Sequence, residues 1–374
     1  MKEISLYIHI PFCKQKCLYC DFPSYGGKED MMGEYTKALV KELESLPLDK
    51  KIKTIFIGGG TPSYLTLENL KILKEAIKGI NKDKDIEFTV EINPGTIDEE
   101  KLSLFKEMGV NRISIGLQAW QNNLLRELGR IHNLEEFLIT YEMCRKFDFN
   151  NINIDAMFGL PNQSMKDWVE TLENVVKLNP ENISCYSLII EEGTPFYNKY
   201  EKGTLILPDE DTEREMYSYC INFLEKNGYK QYEISNFAKV DKECRHNLVY
   251  WNLSEYIGIG VGAHSYIEGL RYRHTENISE YIEKVNKGNN INLDIYENTI
   301  KDEIEEFMFM GLRKREGISI EEFNKRFKRD IYEVYGEILN KYLQLGLLIE
   351  EDGYIFLSIK GIQVSNSIMC EFIL

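Results

Sequence analysis

Six short β-branched runs, each followed by a longer amphipathic stretch, constrain this chain more than any other feature. The runs fall at 4–10, 54–57, 87–92, 112–115, 151–158 and 182–190. The amphipathic segments lie near 30–46, 66–80, 98–108, 120–147, 164–178 and 210–227. Strands alternating with helices in series imply a parallel sheet with crossover helices. A spacing of roughly 30 to 50 residues is too long and too irregular for a short-repeat solenoid. Six units fall short of the eight that close a barrel. The reading is an α/β fold built as an open, partial (β/α)6 barrel, with a doubly wound sheet as the alternative. Either fold places ligand chemistry at the C-terminal ends of the strands.

At 374 residues the chain has room for more than the barrel. We divide it into a barrel at 1–229, a connecting region at 230–297 and a C-terminal domain at 298–374. In the connecting region 231–237, 248–251 and 256–266 read as short strands with turns. Gly258, Gly260 and Gly262 lack the spacing of a dinucleotide fingerprint and read as a tight, closely packed strand. The last part reads as helices at about 298–314, 320–327 and 330–344, then a hairpin turning at Asp352-Gly353. Helices followed by a hairpin suggest a small winged-helix-like α+β domain.

Charge narrows the partners. With 45 Lys+Arg against 61 Asp+Glu the net charge is −16, which repels phosphate backbones and argues against a nucleic-acid partner. No 18-residue apolar run and no secretory leader pattern appears, so the expected location is cytoplasmic, with at most transient peripheral membrane contact through a partner. In that reducing compartment the eight cysteines are not a disulfide framework. Five are scattered and suit buried packing.

The other three are Cys13, Cys17 and Cys20, a C-x3-C-x2-C pattern directly after the first strand. Soft thiolates select an iron–sulfur cluster or zinc. Zinc needs a fourth ligand, for which His9 is the nearby candidate. Three sulfurs without a fourth leave one iron of a 4Fe–4S cluster open to a small molecule. Gly58, Gly59, Gly60 and Thr61 end the second strand, where backbone can approach a ligand closely. Polar residues then recur at strand ends in three consecutive units: Glu91, Gln118 and Asp155. Singly, each of these suits a capping or solvated role as well as a ligand contact.

The segment Tyr7-Ile-His-Ile-Pro-Phe-Cys13, the cysteine triad, Asp21-Phe22 and Gly58-Gly-Gly-Thr-Pro62 together resemble the radical S-adenosylmethionine superfamily. More narrowly they resemble the group of oxygen-independent coproporphyrinogen III oxidases and the related HemW haem chaperones. The resemblance covers nearly the whole chain. It implies a 4Fe–4S cluster on the triad and S-adenosylmethionine on its open iron. Gly58, Gly59, Gly60 and Thr61 would then face the methionine end of that cofactor, Gln118 and Asp155 its ribose, and Arg130 its carboxylate. Glu91, Tyr7 and Tyr19 stand at family cofactor or cluster-contact positions.

Within the group, two activities compete: radical decarboxylation of coproporphyrinogen III, and binding and delivery of haem. Another radical enzyme acting on tetrapyrroles is a third. The oxidases resembling this chain carry C-x3-C-x2-C-x-C, whereas Phe22 stands at the last position here, and their triad follows a longer N-terminal extension. His246-Asn247-Leu-Val-Tyr250-Trp251 matches the H-N-x-x-Y-W motif that the resemblance associates with haem binding. An imidazole can ligate haem iron and the two aromatics can pack on a macrocycle. The same residues also suit a buried His–Asn pair under an aromatic cluster. Cys244 reads as an unremarkable thiol, and His264 and His274 as reserve ligands. The favoured expectation is a haem chaperone with haem as cargo. Apo-haemoproteins such as respiratory cytochromes would receive it, and a homodimer is one assembly it could form.

Overall fold

The computed structural model describes residues 3–46 and 50–374. Its central strands run side by side in chain order: β1 (Glu3–Ile10), β2 (Lys51–Gly59), β3 (Lys82–Ile92), β4 (Arg112–Gln118), β5 (Ile152–Phe158) and β6 (Asn182–Ser187), all parallel. A doubly wound sheet reverses its order at a switch point. This one does not, so the partial barrel holds.

Residue alternation explains the choice. Leu6, Ile8, Ile55, Ile57, Val90, Ile113, Ile115 and Ile154 point to one face and are at most 1% exposed. Helices cover that face: α1 (Met32–Ser45), α2 (Leu67–Lys78), α3 (Glu99–Met108), α5 (Leu134–Lys146), α6 (Met165–Leu178) and α7 (Glu210–Lys226), while the short α4 (Asn122–Glu127) packs in a separate apolar cluster with Met157 and Phe196. The alternate positions Ser5, Thr54, Glu87, Glu91, Arg112, Ser114, Asn153, Asp155 and Ser184 are polar and face the other way. A doubly wound sheet needs helices on both faces and reads as near-continuous apolar runs. A polar concave face instead lines a barrel.

The segment at 120–147 is two helices rather than one. Gly129 breaks it with a φ of 75°, and Asn133 restarts it with a capping box to Glu136. Arg130 sits in the break. β2 and β3 begin earlier than expected, because Lys and Asp in their first halves hide the strand pattern, and β6 ends at Ser187 rather than 190.

The sheet continues on both sides to twelve strands. β7 (Lys230–Glu233) and β8 (Asn236–Ala238) add antiparallel beyond β6, with a turn dividing the expected 231–237 strand. β9 (Tyr256–Ile259) lies parallel to β1, followed by antiparallel β10 (His264–Ile267), β11 (Leu270–His274) and β12 (Asn292–Glu297). A Cβ on Gly258 would stand 2.2 Å from the His264 carbonyl oxygen, so the close packing expected there is real. Gly260 and Gly262 instead form the turn after the strand, both with positive φ.

One expectation is overturned. Residues 248–251 are not a strand but part of helix α8 (Arg245–Trp251). Its first turn is fixed by Glu87 of β3, whose carboxylate accepts from the backbone N–H of Arg245 and His246, both at 2.9 Å. A carboxylate on a helix N-terminus satisfies orphan donors and complements the dipole. That contact comes from a residue far away in sequence.

Helix α9 (Ile278–Lys287) packs on α1. The C-terminal part matches the reading: α10 (Ile300–Gly311), α11 (Ile320–Phe327) and α12 (Ile331–Gln344), then β13 (Ile318–Ser319), β14 (Leu348–Glu351) and β15 (Tyr354–Leu357) in one small sheet. Asp352 and Gly353 turn the hairpin with φ of 51° and 80°. These elements enclose their own apolar cluster around Phe307, Phe323, Leu339 and Ile355.

Candidate functional site: a cysteine-lined cavity at the strand ends

The triad loop leaves β1 at Ile10 and closes on itself. Phe12–Cys13 pairs with Tyr25–Gly26. The glycine segment is tied to it through Gly60 N–H to the Ile10 carbonyl and Thr61 N–H to the Phe12 carbonyl, both 2.8 Å. A Cβ on Gly60 would stand 2.9 Å from both the Ile10 and Phe12 carbonyl oxygens and 3.1 Å from Cys13 Sγ. One on Gly59, where φ is 108°, would enter the His9 ring. The glycines are therefore what lets this strand end lie against the cysteines.

Cys13, Cys17 and Cys20 open onto a cavity of about 560 Å3, together with Tyr19, Gly59, Gly60, Thr61, Glu91, Gln118, Arg130 and Asp155. This is the size of a cofactor site. Gly58 lies beneath it, and a Cβ there would press on the Glu91 carboxylate. Tyr7 lies outside the lining, its ring stacked on Phe56 and its hydroxyl 3.1 Å from His9 Nδ1.

His9 is not a metal ligand. Its Nε2 meets the Pro23 carbonyl at 2.8 Å while Nδ1 meets Tyr7, and burial pulls its pKa down to about 4. Among the described residues no three His, Cys, Asp or Glu side chains converge on one ion. A cubane cluster, in which each cysteine takes a separate iron, suits that arrangement better than mononuclear zinc.

The cavity's polar groups are held in place. Burial, and secondarily the Asp155 carboxylate, push the Glu91 carboxyl up to about 8, so at neutral pH it keeps a proton to donate. Its Oε2 accepts from Gly59 N–H at 3.2 Å. Burial also raises Asp155, which is braced by Asn153 and Ser114. Gln118 has a φ of 74°, a strained backbone for a non-glycine residue, and its Oε1 accepts from Tyr186 at 3.0 Å. Arg130 spends Nη2 on Asn93 Oδ1 and the Gly116 carbonyl, at 2.5 and 2.7 Å. Its buried Nε has no protein partner. An orphaned guanidinium donor beside three sulfurs and a glycine cradle fits a small anionic ligand seated on a cluster.

Asn93, Ser24 and Tyr186 escaped the sequence reading. Tyr186 carries the same signal as Glu91, Gln118 and Asp155, a polar side chain near the end of a strand, here the sixth.

The 246–251 motif lies elsewhere, at the N-terminal end of the barrel. His246 is 1% exposed. Its Nδ1 meets Thr54 Oγ1 at 2.7 Å, its Nε2 meets the Tyr250 hydroxyl at 2.9 Å, and its ring stacks on Phe56. Burial pulls its pKa down to about 3. Its partners are thus Thr54 and Tyr250 rather than Asn247, and the motif is folded in its packed form. Asn247, Tyr250 and Trp251 remain partly exposed, with Arg313 stacked 4.5 Å over Trp251. Cys244 is buried against Glu87, and burial raises its thiol to about 12. His274 is buried against the Gly260 carbonyl and Glu42, while His264 is exposed.

Residues 7–175 match the Radical SAM superfamily, and residues 298–364 match the HemN C-terminal domain. The chain is 39% identical to the haem chaperone HemW of Bacillus subtilis, over 99% of both chains. It is 37% identical to HemW of Lactococcus lactis, over 100% of this chain and 98% of that one. The coproporphyrinogen III oxidase HemN of Escherichia coli superposes with a TM-score of 0.87, over 100% of this chain and 90% of that one, at 22% identity. That last likeness speaks to the fold.

Proposed function

Since the chain belongs to the HemW group of the radical S-adenosylmethionine superfamily, we propose that it binds haem and delivers it to apo-haemoproteins, with a 4Fe–4S cluster and S-adenosylmethionine in the cysteine-lined cavity. The observation that carries the reading is end-to-end similarity to HemW proteins combined with an intact triad and an intact H-N-x-x-Y-W motif. When bound, the cluster and cofactor supply one-electron chemistry. The residues that would hold them are Cys13, Cys17 and Cys20 for iron. For the cofactor they are Tyr19, Gly58, Gly59, Gly60, Thr61, Glu91, Gln118, Arg130 and Asp155, with Tyr7 outside the cavity lining.

Haem would be bound by the second motif: His246 as the iron ligand, with Asn247, Tyr250 and Trp251 beside it. In the packed form both imidazole nitrogens are engaged, so ligation requires Nε2 to exchange the Tyr250 hydroxyl for iron and α8 to loosen. Respiratory cytochromes are the proposed recipients, a homodimer the proposed assembly, and the cytoplasm the proposed location. No helix among the described residues is long and apolar enough to cross a membrane.

The test is transfer. Haem-loaded protein mixed with an apo-cytochrome should yield the holo-cytochrome spectrum. The same preparation given coproporphyrinogen III, S-adenosylmethionine and a reductant should return it unchanged. Decarboxylated product without haem transfer would instead make the chain an oxidase.

A further inference from the structure

Each of the three triad sulfurs has its own side-chain partner. Thr61 Oγ1 donates to Cys13 Sγ at 3.4 Å, Arg130 Nη1 donates to Cys17 Sγ at 3.6 Å, and Ser24 Oγ lies 3.9 Å from Cys20 Sγ. The partners come from three separate parts of the chain: the end of β2, the break between α4 and α5, and the triad loop itself. Thr61 and Ser24 are 4% and 1% exposed, so water competes little for their hydroxyls.

An iron-bound thiolate carries no proton and can only accept. In the loaded protein all three contacts therefore run from oxygen or nitrogen to sulfur. Arg130 is the strongest of them, because its donor carries a full charge. It is also the most firmly aimed, since Asn93 and the Gly116 carbonyl hold its other amino group and a Cβ on Gly116 would stand 2.8 Å from that group.

We propose that Thr61, Arg130 and Ser24 are positioning residues that set the reduction potential of the cluster, one donor per sulfur, with Arg130 dominant. The physical basis is that donors to the sulfurs, and positive charge near them, favour the more electron-rich reduced state. This gives Arg130 a role beyond the cofactor carboxylate. Its Nη1 serves the cluster, separately from the Nη2 contacts that hold the guanidinium in place. The inference rests on the cluster assignment made above.

The experiment is a spectroelectrochemical titration of anaerobically reconstituted protein without S-adenosylmethionine, at matched iron and sulfide content. Arg130→Gln should lower the midpoint by about 59 mV or more, a tenfold change in the one-electron equilibrium. Thr61→Val and Ser24→Ala should lower it by less. If Arg130→Gln does not retain a cluster, the near-isosteric Thr61→Val decides. Midpoints equal to wild type in the variants that hold a full cluster overturn the inference and leave the cluster assignment standing. A change seen only after the cofactor is added also overturns it, since Arg130 would then act through the carboxylate alone. A wild-type chain that takes up no cluster overturns both.

Discussion

His246 Nε2 lies 2.9 Å from the hydroxyl of Tyr250, four residues on in the same helix, so one member of the H-N-x-x-Y-W motif closes off another. The imidazole is held at its other nitrogen by Thr54 and is enclosed by Phe56. If His246 ligates haem as proposed, this hydrogen bond is the catch that binding must release.

Removing the catch should therefore favour haem. A hydrogen bond of this kind contributes about 0.5–1.5 kcal/mol net. Tyr250→Phe should tighten haem binding by roughly twofold to tenfold on that basis. Anaerobic absorbance titrations of variant and wild type read it directly. Weaker or unchanged binding would count against Nε2 as the ligand.

Glu87 anchors the same helix from β3. Glu87→Ala leaves the Arg245 and His246 N–H groups without their carboxylate. It should cost about 1–3 kcal/mol in urea unfolding, as expected for one buried and one partly buried donor losing their acceptor. A loss below about half a kcal/mol, typical of an unimportant surface change, would mean that α8 is held by its apolar face instead.

How much of this was visible in the chain beforehand differs by element. The β/α series and the triad are local patterns and were readable. The barrel-or-open-sheet choice stayed open there, although the alternation of Ser5, Thr54, Glu87, Arg112 and Asn153 with Ile and Leu carries it. Helix α8 was not, because Leu248-Val-Tyr-Trp251 has strand-like composition and its helical start depends on Glu87. The Arg130–Cys17 contact joins residues 113 apart, a pairing that only the closed fold creates.

The cysteine loop makes a sharper prediction. Cys17→Ala should abolish the iron–sulfur absorbance after reconstitution. Gly60→Ala should also impair it, because the added methyl meets two carbonyl oxygens at 2.9 Å and Cys13 Sγ at 3.1 Å. Full iron and sulfide content in either variant would contradict the assigned site.

Glu91 predicts a pH dependence. Its carboxyl keeps a proton to about pH 8 in the folded chain, against an ordinary value of 4.5. Between those values the folded state binds more protons than the unfolded one, so stability falls as pH rises through that window. Glu91→Gln carries no such proton. In cofactor-free protein its stability relative to wild type should rise from about pH 5 to about pH 8, by a few kcal/mol at most. Asp155, raised in the same direction, retains part of the slope. A relative stability that is flat or falls over the window would contradict a buried, protonated Glu91.

The central claim is haem carriage by the 246–251 motif, and the most direct test is an anaerobic haem titration of cluster-reconstituted protein beside His246→Ala. The account predicts saturable, stoichiometric binding in wild type and a changed Soret spectrum with weakened binding in the variant. No binding by wild type, or identical spectra and affinities in both proteins, would contradict it.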